Sequence, residues 1–350
     1  MVVRGANWVG DAVMTVPALR ELRRVLPDAR ITLATRAWAE GIFDGADFID
    51  DILVIKDGRR GPRAIWNESR EWRTRRFDLA ILFPNAFAPA LVAALARIPA
   101  RVGYAAQGRG PLLTHPIPLP DWRGRRHEVF YYFNVIAELE RLLRGYSSVE
   151  PREPQPGLAV NETRKRAARE MLHARGVPPD RTLVALCPGS TNSRAKRWPA
   201  ERFAALADML AERAGAEVVL MGAGEELDVS EEVARRMRNS PVVLTGETDL
   251  STTAAVLSIA DLLVTNDTGP AHIAAAVECP VVVIFGPTNP LTTRPFSSLA
   301  EVVRRPPDCA PCMLRDCPID HRCMTAISAE EVFTRAAHAL EPRLKLEVAR

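Results

Sequence analysis

Along this chain, short runs of branched and aromatic apolar residues alternate with longer stretches in which apolar positions recur every three or four residues. Such alternation predicts parallel strands covered by helices on both faces. In the first half the strand-like runs fall at 2–4, 31–35, 52–55 and 79–83. Pro151, Pro154 and Pro156 then break the pattern, as an interdomain linker does. A second series follows at 183–187, 218–221, 242–244, 262–265 and 281–285. Its first long helix is expected to open at Trp198-Pro199 and to stop before Gly215, because proline suits the first turn and glycine the position past the last. The tail over 328–346 carries Val332, Phe333, Ala336 and Leu340 on one face and predicts a final amphipathic helix. The expectation is an α/β protein of two doubly wound domains, 1–155 and 160–350. Such domains bind ligands beyond the carboxyl ends of their strands, so the chemistry is sought in the loops that leave them.

Composition narrows the class without changing that picture. At 350 residues the chain exceeds the usual span of one hydrophobic core, which agrees with two domains. Hydrophobic residues at 47% and charged residues at 25% are those of a globular protein and exclude disordered and fibrous classes. No apolar stretch approaches the roughly 20 residues of a membrane helix. The start of the chain resembles a core strand running into a turn, without the pattern of a signal peptide, so the expected address is cytoplasmic. Charge is uneven: residues 1–150 hold 22 Lys/Arg against 17 Asp/Glu, the remainder 24 against 26. Arg59, Arg60, Arg63, Arg70, Arg73, Arg75 and Arg76 crowd one segment, which suits either an anionic partner or a solvated helix face. The aromatics among them, Trp66, Trp72 and Phe77, suit helix packing better than base stacking, and no nucleic-acid partner is expected.

The loop after the first strand reads Arg4-Gly5-Ala6-Asn7-Trp8-Val9-Gly10-Asp11, with Thr15 placed to cap a following helix. Gly5 and Gly10 have the spacing of a phosphate loop, but Asp11 stands where that loop requires lysine. Two readings stand for Asp11: a general base taking a proton from an acceptor hydroxyl, or a carboxylate satisfying backbone N–H groups at a helix start.

In the second half, Ser190, Thr191 and Lys196 lie between a strand and a helix. The hydroxyls can donate to phosphate oxygens and the ammonium can meet a diphosphate, although a polar surface loop has the same composition. The run 262–272 passes from a buried strand into a helix whose start is Asp267, Thr268 and Gly269. Free N–H groups and the positive end of the dipole suit a pyrophosphate there. His272, one turn on, either faces the same ligand or packs among its alanine neighbours. Gly222-Ala223-Gly224-Glu225-Glu226 ends another strand with an acidic pair able to hold ribose hydroxyls. Leu227 replaces the third glycine of a dinucleotide fingerprint, which argues against a nicotinamide cofactor.

Taken in order, Trp8-Val9-Gly10-Asp11, Phe83-Pro84-Asn85, Cys187-Pro188-Gly189, Ala195-Lys196-Arg197-Trp198-Pro199 and Thr265-Asn266-Asp267-Thr268-Gly269-Pro270-Ala271-His272 resemble the ADP-heptose:lipopolysaccharide heptosyltransferase family, glycosyltransferase family 9. Within it the similarity is greatest to the branch that extends an already heptosylated core. The resemblance covers nearly the whole chain. It implies a GT-B fold: two Rossmann-like domains facing a cleft, acceptor on the first, nucleotide sugar on the second, and the C-terminal helix crossing back. It implies an inverting transfer of heptose from ADP-heptose to a lipid A-Kdo-heptose acceptor, with peripheral contact at the inner membrane face. Carried over by position, Asp11 is the base and Lys196 neutralises the leaving diphosphate. Ser190, Thr191, Asp267, Thr268, Gly269 and His272 bind the donor, and Glu225, with Glu226 as the alternative, binds the ribose. Asn85, Arg60, Arg63 and Arg101 are expected on the acceptor side, where arginines can grip phosphates and carboxylates. The scheme requires no cofactor for chemistry. Other readings are a first-heptose transferase, another GT-B enzyme with a different donor or acceptor, and a non-catalytic nucleotide-sugar-binding protein.

Cys309, Cys312, Cys317 and Cys323 are spaced C-x2-C-x4-C-x5-C, with His321 among them. Four soft ligands in so short a stretch are a candidate structural zinc site, and free or disulfide-linked thiols are the alternative. Cys187 and Cys279 read as core residues.

Overall fold

The computed structural model describes residues 1–55 and 61–348, with side chains of the last helix only as far as 341. The chain divides into two compact units, Met1–Pro156 and Gly157–Arg350. The division falls directly after the proline-rich break.

The first unit contains strands β1 (Val2–Arg4), β2 (Thr32–Arg36), β3 (Asp51–Ile55), β4 (Leu79–Leu82), β5 (Ala100–Tyr104) and β6 (His115–Ile117). They form one parallel sheet in the order β3-β2-β1-β4-β5-β6. Its helices are α1 (Val9–Met14), α2 (Val16–Val25), α3 (Pro62–Thr74), α4 (Phe87–Leu95) and α5 (Glu128–Arg144). The second unit repeats the plan with β7 (Leu183–Cys187), β8 (Glu217–Leu220), β9 (Val242–Val243), β10 (Leu262–Asn266), β11 (Val281–Phe285) and β12 (Ala300–Arg304), ordered β12-β11-β10-β7-β8-β9. Its helices are α6 (Glu162–Ala174), α7 (Ala200–Ala214), α8 (Leu227–Arg236), α9 (Leu250–Leu257), α10 (Gly269–Ala276), α11 (Pro290–Thr293), α12 (Arg322–Thr325) and α13 (Ala329–Val348).

Burial explains which strands the hydrophobic pattern revealed. β7, β10 and β11 are buried along their whole length, as central strands covered on both faces are. β5, β6 and β12 are absent from the expectation. β6 and β12 are sheet edges, where proline and charged residues are tolerated. β5 is interrupted by Gly103, where a Cβ would come within 3.0 Å of the Leu82 carbonyl oxygen and of Arg109 Nη2. α7 ends at Gly215 in the left-handed region, as its sequence predicts. Thr15 departs from expectation: its hydroxyl donates back to Ala12 O at 2.6 Å, and α2 starts without a side-chain cap. α13 packs on α7 and against β10 and β11, with Val332, Ala336 and Leu340 buried.

Both sheets have the doubly wound order in which the winding direction reverses beside the first strand. The reversal lies between β1 and β4 in the first unit and between β7 and β10 in the second. Loops leaving those pairs flank a crevice at the carboxyl edge of each sheet. Asp11 and Asn85 follow β1 and β4. Ser190, Thr191 and Lys196 follow β7, while Asp267 and Thr268 follow β10.

Candidate active site

In the first unit the loop after β1 is held from below. Arg4 is buried, and its guanidinium donates to Gly5 O at 2.5 Å and to Asn7 Oδ1 at 3.0 Å. Asp11 is the third residue of α1, whose N-cap, Trp8, makes no side-chain capping bond. The Tyr132 hydroxyl donates to Asp11 Oδ1 at 3.3 Å. Glu128, one turn earlier on α5, also feels this carboxylate: burial first, and the Asp11 charge second, push its pKa up.

Asn85 leaves β4 and is tied to the same helix, its Nδ2 donating to Tyr131 Oη at 2.9 Å. Arg109 lies beneath it, fully buried, bonding the carbonyls of Tyr104 at 2.8 Å and of Pro84, and Asn85 Oδ1 at 3.4 Å. Burial lowers the Arg109 pKa to about 10. The expected acceptor arginines are spread apart. Arg101 bonds the carbonyl oxygens of Leu112 and Ile98 and acts as a staple at a strand edge. Arg63 is exposed on the first turn of α3, and Arg60 lies outside the described residues. Sequence reasoning missed Arg123, which is exposed with its guanidinium 5.1 Å from the centre of the Tyr131 ring, next to Asn85.

In the second unit the loop after β7 meets the start of α10. Lys196 Nζ lies 3.0 Å from both the backbone oxygen and Oδ2 of Asp267, whose carboxylate also accepts from Thr288 Oγ1 at 2.6 Å. Asp267 is 4% exposed. Its carboxylate holds the lysine ammonium against the start of α10. Thr268 is the N-cap of that helix, Gly269 its first residue, and His272 is buried one turn on. Ser190 is buried and Thr191 exposed beside them.

The acidic pair divides. Glu226 is buried and accepts from Thr191 Oγ1 at 3.0 Å and from Ala223 N at 2.9 Å, so it ties the loops after β7 and β8 together. Glu225 is exposed. Gly189 is required by this contact, since a Cβ there would stand 2.4 Å from Glu226 Cδ. Asn266, another residue the motif reading passed over, is fully buried at the end of β10. It accepts from Trp198 N at 3.0 Å and donates to Pro188 O and Gly189 O at 2.8 and 3.1 Å. An amide side chain ending a fully buried strand was the available signal.

The four clustered cysteines line one small cavity of about 20 Å³ together with Asp320 and Arg322. All are free thiols. Among the described residues no three His, Cys, Asp or Glu side chains already stand as a metal cage. His321 is directed elsewhere, donating from Nε2 to Ala195 O at 2.7 Å. Further bonds join the same two segments: Ala195 N to Arg315 O at 2.9 Å, Ser193 Oγ to Arg315 O at 3.1 Å, and Arg194 Nε to Asp316 Oδ1 at 2.7 Å. The cysteine loop thereby clamps the segment that carries Lys196.

Two doubly wound α/β units in one chain are the plan of the GT-B class of glycosyltransferases. The sequence profile of glycosyltransferase family 9 (heptosyltransferase) matches residues 65–322, and the chain belongs to that family. Lipopolysaccharide heptosyltransferase 2 of Salmonella typhimurium is 29% identical over 311 residues, 87% of each chain. Among solved structures, ADP-heptose lipopolysaccharide heptosyltransferase II of E. coli superposes with a TM-score of 0.82 at 26% identity, covering 98% of both chains. A family 9 glycosyltransferase from Veillonella parvula superposes with a TM-score of 0.85 at 26% identity, covering 97% of both.

Proposed function

We propose that this protein is the inverting glycosyltransferase that moves L-glycero-D-manno-heptose from ADP-heptose to heptosyl-Kdo-lipid A, the heptosyltransferase II reaction. The observation that carries the reading is the Lys196 ammonium locked by Asp267 at the start of α10, where charge builds on a departing diphosphate. The names of the relatives supply the sugar and the acceptor. In this scheme the first unit binds the acceptor and the second the donor. Asp11 removes the proton of the acceptor hydroxyl as its oxygen attacks the anomeric carbon. The bond from that carbon to the diphosphate breaks, and the electron pair leaves with ADP. Lys196, the amides of Thr268 and Gly269, and the hydroxyls of Ser190 and Thr191 stabilise the leaving charge, with His272 beside them and Glu225 on the ribose. Asn85, Arg63 and Arg123 face the anionic acceptor. We place the chain in the cytoplasm, in peripheral contact with the membrane that carries the acceptor. Among the described residues no helix is long and apolar enough to cross a membrane.

ADP release from ADP-heptose by the purified protein tests the reading. Release with the mono-heptosylated acceptor and not with Kdo-lipid A is expected. Release with Kdo-lipid A alone makes it a first-heptose transferase, and tight donor binding without release makes it a binding protein. Presenting the acceptor in anionic or neutral vesicles reads the membrane contact in the same assay, since rates that are equal in both argue against it.

We further propose that the four-cysteine cavity takes one soft divalent ion of the zinc class. Support comes from four thiols around a space for one water-sized body. Thiols close to ligand distance only when they deprotonate on an ion. Elemental analysis of the protein as isolated should find one zinc per chain, lost in Cys312→Ser/Cys317→Ser. Metal-free, fully active protein would sink this proposal.

A further inference from the structure

Two consecutive tyrosines of α5 reach the two motifs at the switch point of the first sheet. Tyr131 bonds Asn85, which leaves β4, and its ring stacks on Tyr104 with centroids 4.1 Å apart. Tyr132 bonds Asp11, which follows β1, and its ring meets Phe83 edge-on with centroids 5.5 Å apart. A buried tyrosine hydroxyl needs a partner, and a backbone carbonyl usually suffices. Tyr104 uses one, donating to Tyr131 O at 2.8 Å. Tyr132 instead directs its proton at a carboxylate 121 residues away in sequence. We propose that Tyr132 is the positioning residue of the catalytic base: its hydroxyl fixes the orientation of the Asp11 carboxylate and favours the ionised form that accepts the acceptor's proton. This rests on the reading of Asp11 as the base.

The surroundings keep the hydroxyl a donor. Burial first, then the charges of Asp11 and Glu128, push the Tyr132 phenol far above its ordinary pKa, and Tyr131 adds to the effect. Arg123 partly offsets the rise at Glu128, so Glu128, Tyr131 and, through Glu128, Arg123 are among the groups acting on the pair. A hydrogen bond donated to a carboxylate lowers its pKa, and removing the donor raises it. The base then needs a higher pH to become ionised.

Tyr132→Phe keeps the ring against Phe83 and removes only the hydroxyl. In the ADP-release assay kcat is expected to fall about tenfold, the order of one lost hydrogen bond to a charged group. The KM for ADP-heptose should hold, and the acid limb of kcat/KM should move up by about half to one pH unit. A purely structural role for the hydroxyl lowers activity without moving that limb, so an unmoved limb overturns the proposal whether or not the rate falls. Asp11→Asn, measured beside it, separates the two layers. If that variant is inactive and Tyr132→Phe is unchanged, only the positioning role fails; if it is active, the base lies elsewhere and both readings fall.

Discussion

Replacing Asp11 with asparagine is expected to slow heptosyl transfer by about 10²–10⁴-fold, the usual contribution of a positioned general base, without weakening ADP-heptose binding. The acceptor hydroxyl must lose its proton as it attacks, and Asp11 is the carboxylate that the loop after β1 delivers to the crevice beside β4. Asparagine retains the shape and an acceptor oxygen for Tyr132, so the fold should be undisturbed. It cannot take the proton. The competing reading, a carboxylate that only steadies the start of α1, predicts lower thermal stability and little change in rate, since a negative charge in a helix's first turn contributes about 0.3–1 kcal/mol. Turnover and melting temperature measured on one preparation decide between them. Transfer near the wild-type rate with a lowered melting temperature would remove Asp11 from the chemistry.

The second large effect is expected at Lys196. Its ammonium contacts two oxygens of Asp267 at the start of α10, where in the proposed mechanism negative charge develops on ADP as the bond to the anomeric carbon breaks. Removing one such preorganised group typically costs about 10²–10³ in kcat. Lys196→Ala also strands a carboxylate that is only 5% exposed in its side chain, a defect worth about 3–5 kcal/mol in folding. The double variant Lys196→Ala/Asp267→Asn separates the two consequences. Removing the stranded charge should restore the melting temperature and leave kcat low. Recovery of kcat together with stability would show that the lysine serves the fold and that the leaving group is stabilised by other groups.

The places of the candidate residues along the fold are legible in the sequence. β7 and β11 are unbroken apolar runs, and β10 is apolar up to Thr265, because both faces of a central parallel strand are covered. The loops that follow are short and contiguous, so Asp11, Lys196, Asp267 and Thr268 could be read directly as residues just past strand ends. The edge strands β6 and β12, with a proline and charged residues, carry too little apolar signal to be recognised. In β5, Gly103 makes sense only against Leu82 and Arg109, and Arg101 only against the carbonyls of Ile98 and Leu112.

The sequence by itself determined the two doubly wound halves, their junction near Pro156 and the strand-end loops that hold the candidate residues, because hydrophobic period and turn residues are local properties of the chain. Tertiary structure alone decided the side-chain partnerships. Tyr131 and Tyr132 are neighbours in sequence, yet helix geometry sends one hydroxyl to Asn85 and the other to Asp11. Of two adjacent glutamates, Glu226 turned inward onto Thr191 and Ala223, and Glu225 faces solvent. The cysteine loop, separated from Lys196 by more than half of the second unit, became the clamp on the segment that holds it. Each of these pairings depends on which groups the folded sheet brings within about 3 Å, a distance that no local pattern encodes.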